Sequence, residues 1–250
     1  MFLFVKNFFK ADMRQKNLMF WDWIFPVLLM VGASVFISGN ENKTGILGGL
    51  IAFLMLQSFI YSIPYRISQY RQSGILRTVV EEGSVMKFTL AFLLTRILIV
   101  FVQVVIFLVI GILLTGAEVD MNIPYFLCAI ILGMMSLGGF SLFVGTLAKS
   151  DQAALGFSQL FYLLFTAISG IFFPIEKSPE LLRWISIISP VTYLNRAIGN
   201  SLSSGDIDLY GMVFMLVFGI VFMILSTVLY RKILYQSKSS NTVFKPEYKW

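Results

Sequence analysis

Six apolar runs set what this chain can become: residues 20–38, 46–64, 88–115, 125–148, 153–175 and 209–230. Each is close to the roughly 20 residues that a helix needs to cross the hydrocarbon of a bilayer. In lipid, every backbone N–H and C=O must find a partner inside the fold, so runs of this length become helices packed in a bundle. The chain therefore reads as an all-α membrane protein: six transmembrane helices over residues 20–231, no soluble domain, and a polar tail over 232–250. Composition agrees, with 58% hydrophobic and 13% charged residues and a mean hydropathy of +0.84. Ordinary soluble domains carry about 25% charged residues.

The formal charge of +6 is unevenly placed along these boundaries. With the N-terminus in the cytoplasm, only Lys43, Lys177, Arg183 and Arg196 fall outside, and Arg96 lies in the third run. The remaining Lys and Arg residues lie inside, from Lys6, Lys10, Arg14 and Lys16 through Arg66, Arg71, Arg77, Lys87 and Lys149 to the basic tail. This is the positive-inside pattern, and it places both termini in the cytoplasm. Positive charge arranged in this way points to membrane lipids and away from nucleic acid. A cleaved signal peptide is not expected: the apolar stretch 24–38 is long for one, starts late, and is followed by no clean small-x-small site.

Several chemistries are excluded. The chain has no histidine, which removes Ser-His and Cys-His catalysis and His-based zinc or haem ligation. Its single cysteine, Cys128, cannot form an internal disulfide and reads as a small buried hydrophobe in the fourth run. There is no G-x-x-x-x-G-K-[ST] phosphate loop and no G-x-S-x-G elbow. Asp22 sits at the edge of the first run, and no other acidic residue lies inside a span. Ion-coupled transporters usually keep carboxylates at membrane depth. Energy for any transport must then come from a separate subunit, or the protein does not pump.

Residues 1–19 are not a span. Lys6, Lys10 and Arg14 recur every four residues on one helical stripe, with Phe2, Val5, Phe9 and Met13 on another. That describes an amphipathic helix at the inner interface, although a plain positive topogenic flank would look similar. Trp21 and Trp23 mark the membrane boundary. Asn42-Lys43-Thr44 is a glycosylation triplet in a turn too short to be a good acceptor. The cytoplasmic loop 65–87 is longer than a connector requires and mixes polar with apolar residues around Gly74 and Gly83. It reads either as a docking helix across the inner face or as an extension of the third span. Arg96, nine residues beyond Lys87, is within snorkelling reach of the inner headgroups; the other reading has it facing a cavity or an anionic lipid. Gly133, Ser136, Gly138, Gly139, Ser141 and Gly145 gather in the fourth run, where small residues let helices, or a second subunit, approach closely. The tetrapeptide 149–152 (KSDQ) is a tight inner turn that makes spans four and five a hairpin.

The stretch SGIFFPIEKSPELLRWISIISP (169–190) follows the fifth run and holds Pro174, Pro179 and Pro190, each of which stops or kinks a helix. Leu181, Leu182, Trp184, Ile185, Ile187 and Ile188 form an apolar element too short to cross. It either re-enters the membrane under a protein or water cover, or rests on the outer surface.

The order of these parts resembles the ABC-2 type permeases, the membrane subunits of ATP-binding-cassette exporters. Phe172-Phe173-Pro174, Pro179, Trp184, Pro190 and Tyr193 are similar to the family's extracellular signature. Gly74, Leu76 and Arg77 are similar to its glycine-centred cytoplasmic stretch, and Gln72-Ser73 and Glu81-Glu82-Gly83 depart from the acidic residue and proline usual there. The resemblance implies short re-entrant helices over 170–198 that close the outer path, and ATPase coupling through Gln72, Gly74, Leu76, Arg77 and Glu81. It also implies an ABC ATPase on the cytoplasmic face that binds ATP and magnesium, and a second permease copy or a similar permease. The chain itself would be no enzyme and hold no cofactor or metal. The expected activity is outward movement of a hydrophobic or amphipathic drug, peptide or lipid across a bacterial cell membrane. The alternative is a channel, immunity or sensor protein that uses no ATP.

Overall fold

The structure, a computed structural model, describes residues 20–37, 43–75, 79, 85–171, 175 and 178–239. A π-helical stretch (Phe20–Ile24) opens into α1 (Phe25–Ile37), followed by α2 (Lys43–Gln72), α3 (Val85–Thr115) and α4 (Ile123–Leu147). After these come α5 (Asp151–Ile168), α6 (Glu180–Ser186), α7 (Pro190–Leu202) and α8 (Leu209–Ser239). Among the described residues the only extended pairing is an isolated parallel bridge between Asp120 and Ser203.

The protein is all-helical, and α2, α3, α4 and α8 are long and apolar enough to cross a membrane. The two other expected spans are smaller. α1 has 13 residues. α5 has 18, begins Asp151-Gln152 and carries Ser158 and Gln159 along its length. It also stops well short of residue 175, because Gly170 takes a left-handed conformation (φ +74°) straight after Ser169. A side chain there would also meet Ile175, with a Cβ 2.8 Å from its Cγ1.

The helices give the bundle two ends. One, basic, carries Arg71, Lys87 and Lys149; the other, acidic, carries Glu118, Asp120, Asp206 and Asp208. Helix α2 is the centre: it is buried nearly all round and packs against α4, α7, α5 and α3. It touches α4 and α5 more extensively than those two touch each other, so the expected α4–α5 hairpin is present but splayed around α2. By contrast α3 and α8 show long apolar faces to the outside, among them Leu94, Leu98, Val102 and Val109 on α3 and Val213, Val217 and Ile224 on α8. Such faces match lipid, whose tails are as apolar as leucine.

The glycines of α4 are all spent inside the chain. A Cβ on Gly133 would lie 2.4 Å from Leu194 of α7, and one on Gly138 would lie 3.2 Å from Leu93 of α3. One on Gly139 would lie 2.4 Å from the Gly219 carbonyl oxygen of α8, and one on Gly145 would lie 2.7 Å from Ile67 of α2. Phe140, between them, meets Phe161 and Phe222 at 5.0 Å and Phe165 at 5.1 Å, joining α4 to α5 and α8. α4 is thus the hub, and it contacts α8 more than any other pair of helices contact one another.

Two sequence expectations change here. Arg96 does not snorkel: it is 3% exposed, and its Nη2 donates to the Ser58 carbonyl of α2 at 2.6 Å. Tyr70 lies edge-on to Phe88 and Phe92 at the basic end, where the close of α2 meets the start of α3, so the two helices run antiparallel and Arg96 faces α2. Ser58 in turn donates its hydroxyl to Gln103 of α3 at 3.1 Å. Cys128 is exposed on α4 instead of buried, because the exterior of a membrane span is itself apolar.

Candidate functional site

At the basic end, α2 runs out into the cytoplasmic loop of the sequence reading. Gly74 takes φ +75° and its N–H donates to the Arg71 carbonyl at 3.2 Å, a left-handed helix ending that favours glycine. Just before it, Gln72 Nε2 donates to Asp151 Oδ1 on α5 at 3.1 Å. Arg71, which the sequence reading counted only as an inner positive charge, spreads its guanidinium over the last carbonyls of α4. It donates to Ala148 at 2.5 Å, Thr146 at 3.2 Å and Gly145 at 3.4 Å. The final carbonyls of a helix lack partners in their own helix, so a cationic fork there satisfies them. Leu76, Arg77 and Glu81 of the expected coupling set, and Lys6, Lys10 and Arg14 of the interfacial helix, lie outside the described residues.

At the acidic end, α7 is built against four helices at once. Ser189 and Pro190 begin it, with proline at the position where its missing N–H costs nothing. Its Leu194 meets Gly133 of α4, whereas its Ser201 carbonyl accepts from Asn122 N at 2.9 Å. Between residues 122 and 133 helix α4 advances about 16 Å at 1.5 Å per residue. The start of α7 therefore lies that far down α4 from the acidic end, and α7 climbs back to it. Thr192 Oγ1 and Asn195 Nδ2 donate to the Ile168 and Ser169 carbonyls, each at 3.2 Å, capping α5. On the α2 side, a Cβ on Gly48 would lie 2.9 Å from Gly199 Cα, so the two backbones touch.

Tyr193 ties this element to α8. Its ring lies 4.7 Å from Phe214 and 5.8 Å from Tyr210, and its hydroxyl donates to the Ile187 carbonyl at 3.0 Å. Arg196 lies 5.9 Å over the same ring and 3.6 Å from Asp208 Oδ2. Asp208 caps α8 by accepting from Gly211 N at 2.8 Å, and its own N–H donates to the Tyr125 hydroxyl at 3.0 Å. Thr192, Asn195 and Asp208 did not stand out in the sequence, and Arg196 was counted only as an outer positive charge; their role depends on α5 and α8 arriving from either side.

The expected outer set is divided by the structure. Pro190 and Tyr193 are buried in the α7 assembly. Pro179 heads α6 and is exposed, and Trp184 is 65% exposed on the outside of α6 beside Leu181 and Ile188. Trp184 therefore does not join Tyr193. Phe172, Phe173 and Pro174 lie outside the described residues.

A further feature was not singled out in the sequence. The exposed side of α5 carries a strip of Gln152, Gly156 and Gln159 at helical spacing, flanked by the exposed Leu155, Leu160, Leu163 and Leu164. Gln159 Oε1 accepts the hydroxyl of Tyr61 on α2. Tyr61 packs edge-on to Tyr162 at 5.2 Å, and Tyr162 lies 5.5 Å from Phe53. Amides are costly against hydrocarbon, so this face suits water or another protein better than lipid.

No curated protein matches the chain. A family model described as ABC-2 type transporter matches residues 1–203, which takes in every helix from α1 to α7. With four long apolar helices and a match over most of its length, the chain is a membrane transport component and belongs to the ABC-2 type transporter family.

Proposed function

We propose that this chain is the permease subunit of an ABC exporter in a bacterial cell membrane, with six spans and both termini in the cytoplasm. Two copies, or this chain and a similar permease, enclose the path. An ABC ATPase on the basic, cytoplasmic end binds ATP and magnesium and drives the cycle; the permease contributes no catalytic group. The observation that carries this reading is the α5 face. Its Gln159, held by Tyr61, presents an amide to the exterior of an apolar bundle, which fits a water-filled path between two subunits.

In this reading α1 and α5 complete the six spans, and residues 1–19, with Lys6, Lys10 and Arg14, lie as an amphipathic helix on the inner leaflet. The loop 65–87, with Gln72, Gly74, Leu76, Arg77 and Glu81, meets the ATPase. Residues 170–198 re-enter the outer leaflet, an arrangement supported by the depth at which Leu194 meets Gly133. Phe172, Phe173 and Pro174 with Pro179, Pro190 and Tyr193 close the outer path, and Trp184 sits at its outer edge. The substrate is hydrophobic or amphipathic, a drug, peptide or lipid, taken from the cytosol or the inner leaflet.

The test is a search for an ABC ATPase reading frame beside the gene, followed by co-expression of the two, co-purification, and reconstitution into liposomes. ATP-dependent efflux, with hydrolysis stimulated by a member of a lipid, peptide and antibiotic panel, is the expected result. ATP-independent flux from a permease that retains no ATPase would refute it. Replacing Phe172 and Phe173 with Ala is expected to raise basal ATP hydrolysis or leak; parental rates would remove these residues from the gate.

A further inference from the structure

The inner end of α2 and the turn between α4 and α5 are bonded to each other on both sides of that turn. Before it, Arg71 donates to the Gly145, Thr146 and Ala148 carbonyls at the close of α4. After it, Gln72 donates to Asp151 in the first turn of α5. The turn itself is fixed locally: Ser150 caps α5 by accepting from Ala153 N at 3.1 Å. Two residues beyond Gln72, Gly74 reverses the backbone into the cytoplasmic loop. Three helix ends therefore meet at neighbouring residues of one helix turn, and the loop leaves from that same turn.

We infer that Arg71, Gln72 and Asp151 form a clamp that makes the end of α2 and the α4–α5 turn a single body, so that displacement of the loop after Gly74 is delivered to α5. An arginine fork suits this task better than a lysine, because its planar donors reach several acceptors from one rigid group. The inference deepens the exporter reading and rests on it for the source of the push. It also gives Gln72 a second role: its amide is turned toward α5, so it positions the loop that meets the ATPase. Arg71 and Gln72 act as positioning residues, since neither need touch substrate or nucleotide.

Two measurements separate the clamp from the exporter reading. The first uses the permease alone in liposomes, in a Cys128→Ser background, with spin labels at Ser73→Cys and Gln152→Cys, both exposed. A narrow distance distribution that Arg71→Ala broadens supports the clamp; an unchanged distribution overturns it, whether or not an ATPase drives the protein. The second uses the reconstituted permease–ATPase complex. Arg71→Ala is expected to keep the ATPase bound and hydrolysing while transport per ATP falls about tenfold, within the usual range of coupling between sites. Arg71→Lys should recover part of the loss. Parental transport in Arg71→Ala, or release of the ATPase by it, overturns the clamp. Should Arg71→Ala fail to fold, Asp151→Ala removes only the acceptor of Gln72 and is expected to uncouple to a smaller degree; full coupling in that variant also overturns the proposal.

Discussion

At Gly139 the addition of one carbon has a calculable consequence. Its Cβ would stand 2.4 Å from a backbone oxygen of α8, which cannot rotate away. Gly32 on α1 has nothing within 4 Å of its own Cβ position. Gly139→Ala should therefore lower the unfolding temperature of the purified protein, by the equivalent of about 1–3 kcal/mol for overpacking. Gly32→Ala should leave it unchanged or raise it slightly, since alanine gains up to about 1 kcal/mol over glycine in a helix. Equal melting of the two variants would contradict the α4–α8 contact. Arg96 offers a second residue-scale test. Held against Ser58 and buried, an Arg96→Cys thiol in the Cys128→Ser background should resist impermeant maleimides until the bundle is unfolded, whereas Lys87→Cys, which is exposed, should label at once. Prompt labelling at 96 would place that position in contact with water and contradict its burial against α2. Nothing in the residues near Arg96 distinguishes snorkelling from burial; what does is the packing of α3 on α2, which brings Arg96 and Gln103 against Ser58.

Among the elements, α7 shows best how a short helix can be held deep against a bundle. It has only 13 residues, yet its hydrogen bonds go to α4, α5 and the loop before it, and its aromatic contacts go to α8. Tyr193 combines both kinds of contact, and its two substitutions separate them. Tyr193→Phe loses only the hydroxyl's hydrogen bonds, to the Ile187 carbonyl and with Tyr210, worth about 1 kcal/mol each. Tyr193→Ala also empties a buried ring site, worth about 3–5 kcal/mol. Denaturant unfolding in mixed micelles should rank them in that order with a clear gap; a Phe variant as damaged as the Ala variant would mean that the hydroxyl has a role beyond these bonds. The prolines and short apolar segment made the existence of α6 readable beforehand, whereas α7 was expected only through the family resemblance. α7 marks its inner side by the stripe of Val191, Leu194, Ala197 and Ile198, but the seven residues of α6 are too few to show that Trp184 faces out.

For the molecule as a whole, charge and surface point to how it sits and what it meets. If the basic end is cytoplasmic, Lys149→Cys should react with impermeant maleimide only in inside-out vesicles and Ser204→Cys only in right-side-out cells. The reverse pattern would invert the orientation. If two α5 faces meet across a path, Gly156→Cys, at an open and exposed position beside Gln159, should give a disulfide-linked dimer on mild oxidation in native membranes. Leu98→Cys, on the apolar face of α3, should not. Monomer from both would place the partner elsewhere on the bundle.

Helicity, membrane residence, the unequal charge of the two ends and the family signature were legible in the residues, because lipid demands long apolar helices and charge patterning is local to the loops. Where each helix turns its faces was not. A soluble helix advertises its inner face by an apolar stripe, but a helix such as α3 or α8 is apolar on every side, so periodicity carries little information about neighbours. Contact between distant segments supplied it: Gly139 against Gly219, Leu194 against Gly133, Arg96 against Ser58. The ends of helices divided in the same way. Gly74 could be read as a break from the chain alone, whereas Gly170 lay inside the expected fifth run; the arginine that closes α4 and the asparagine that closes α5 come from α2 and α7, and only packing brings them there.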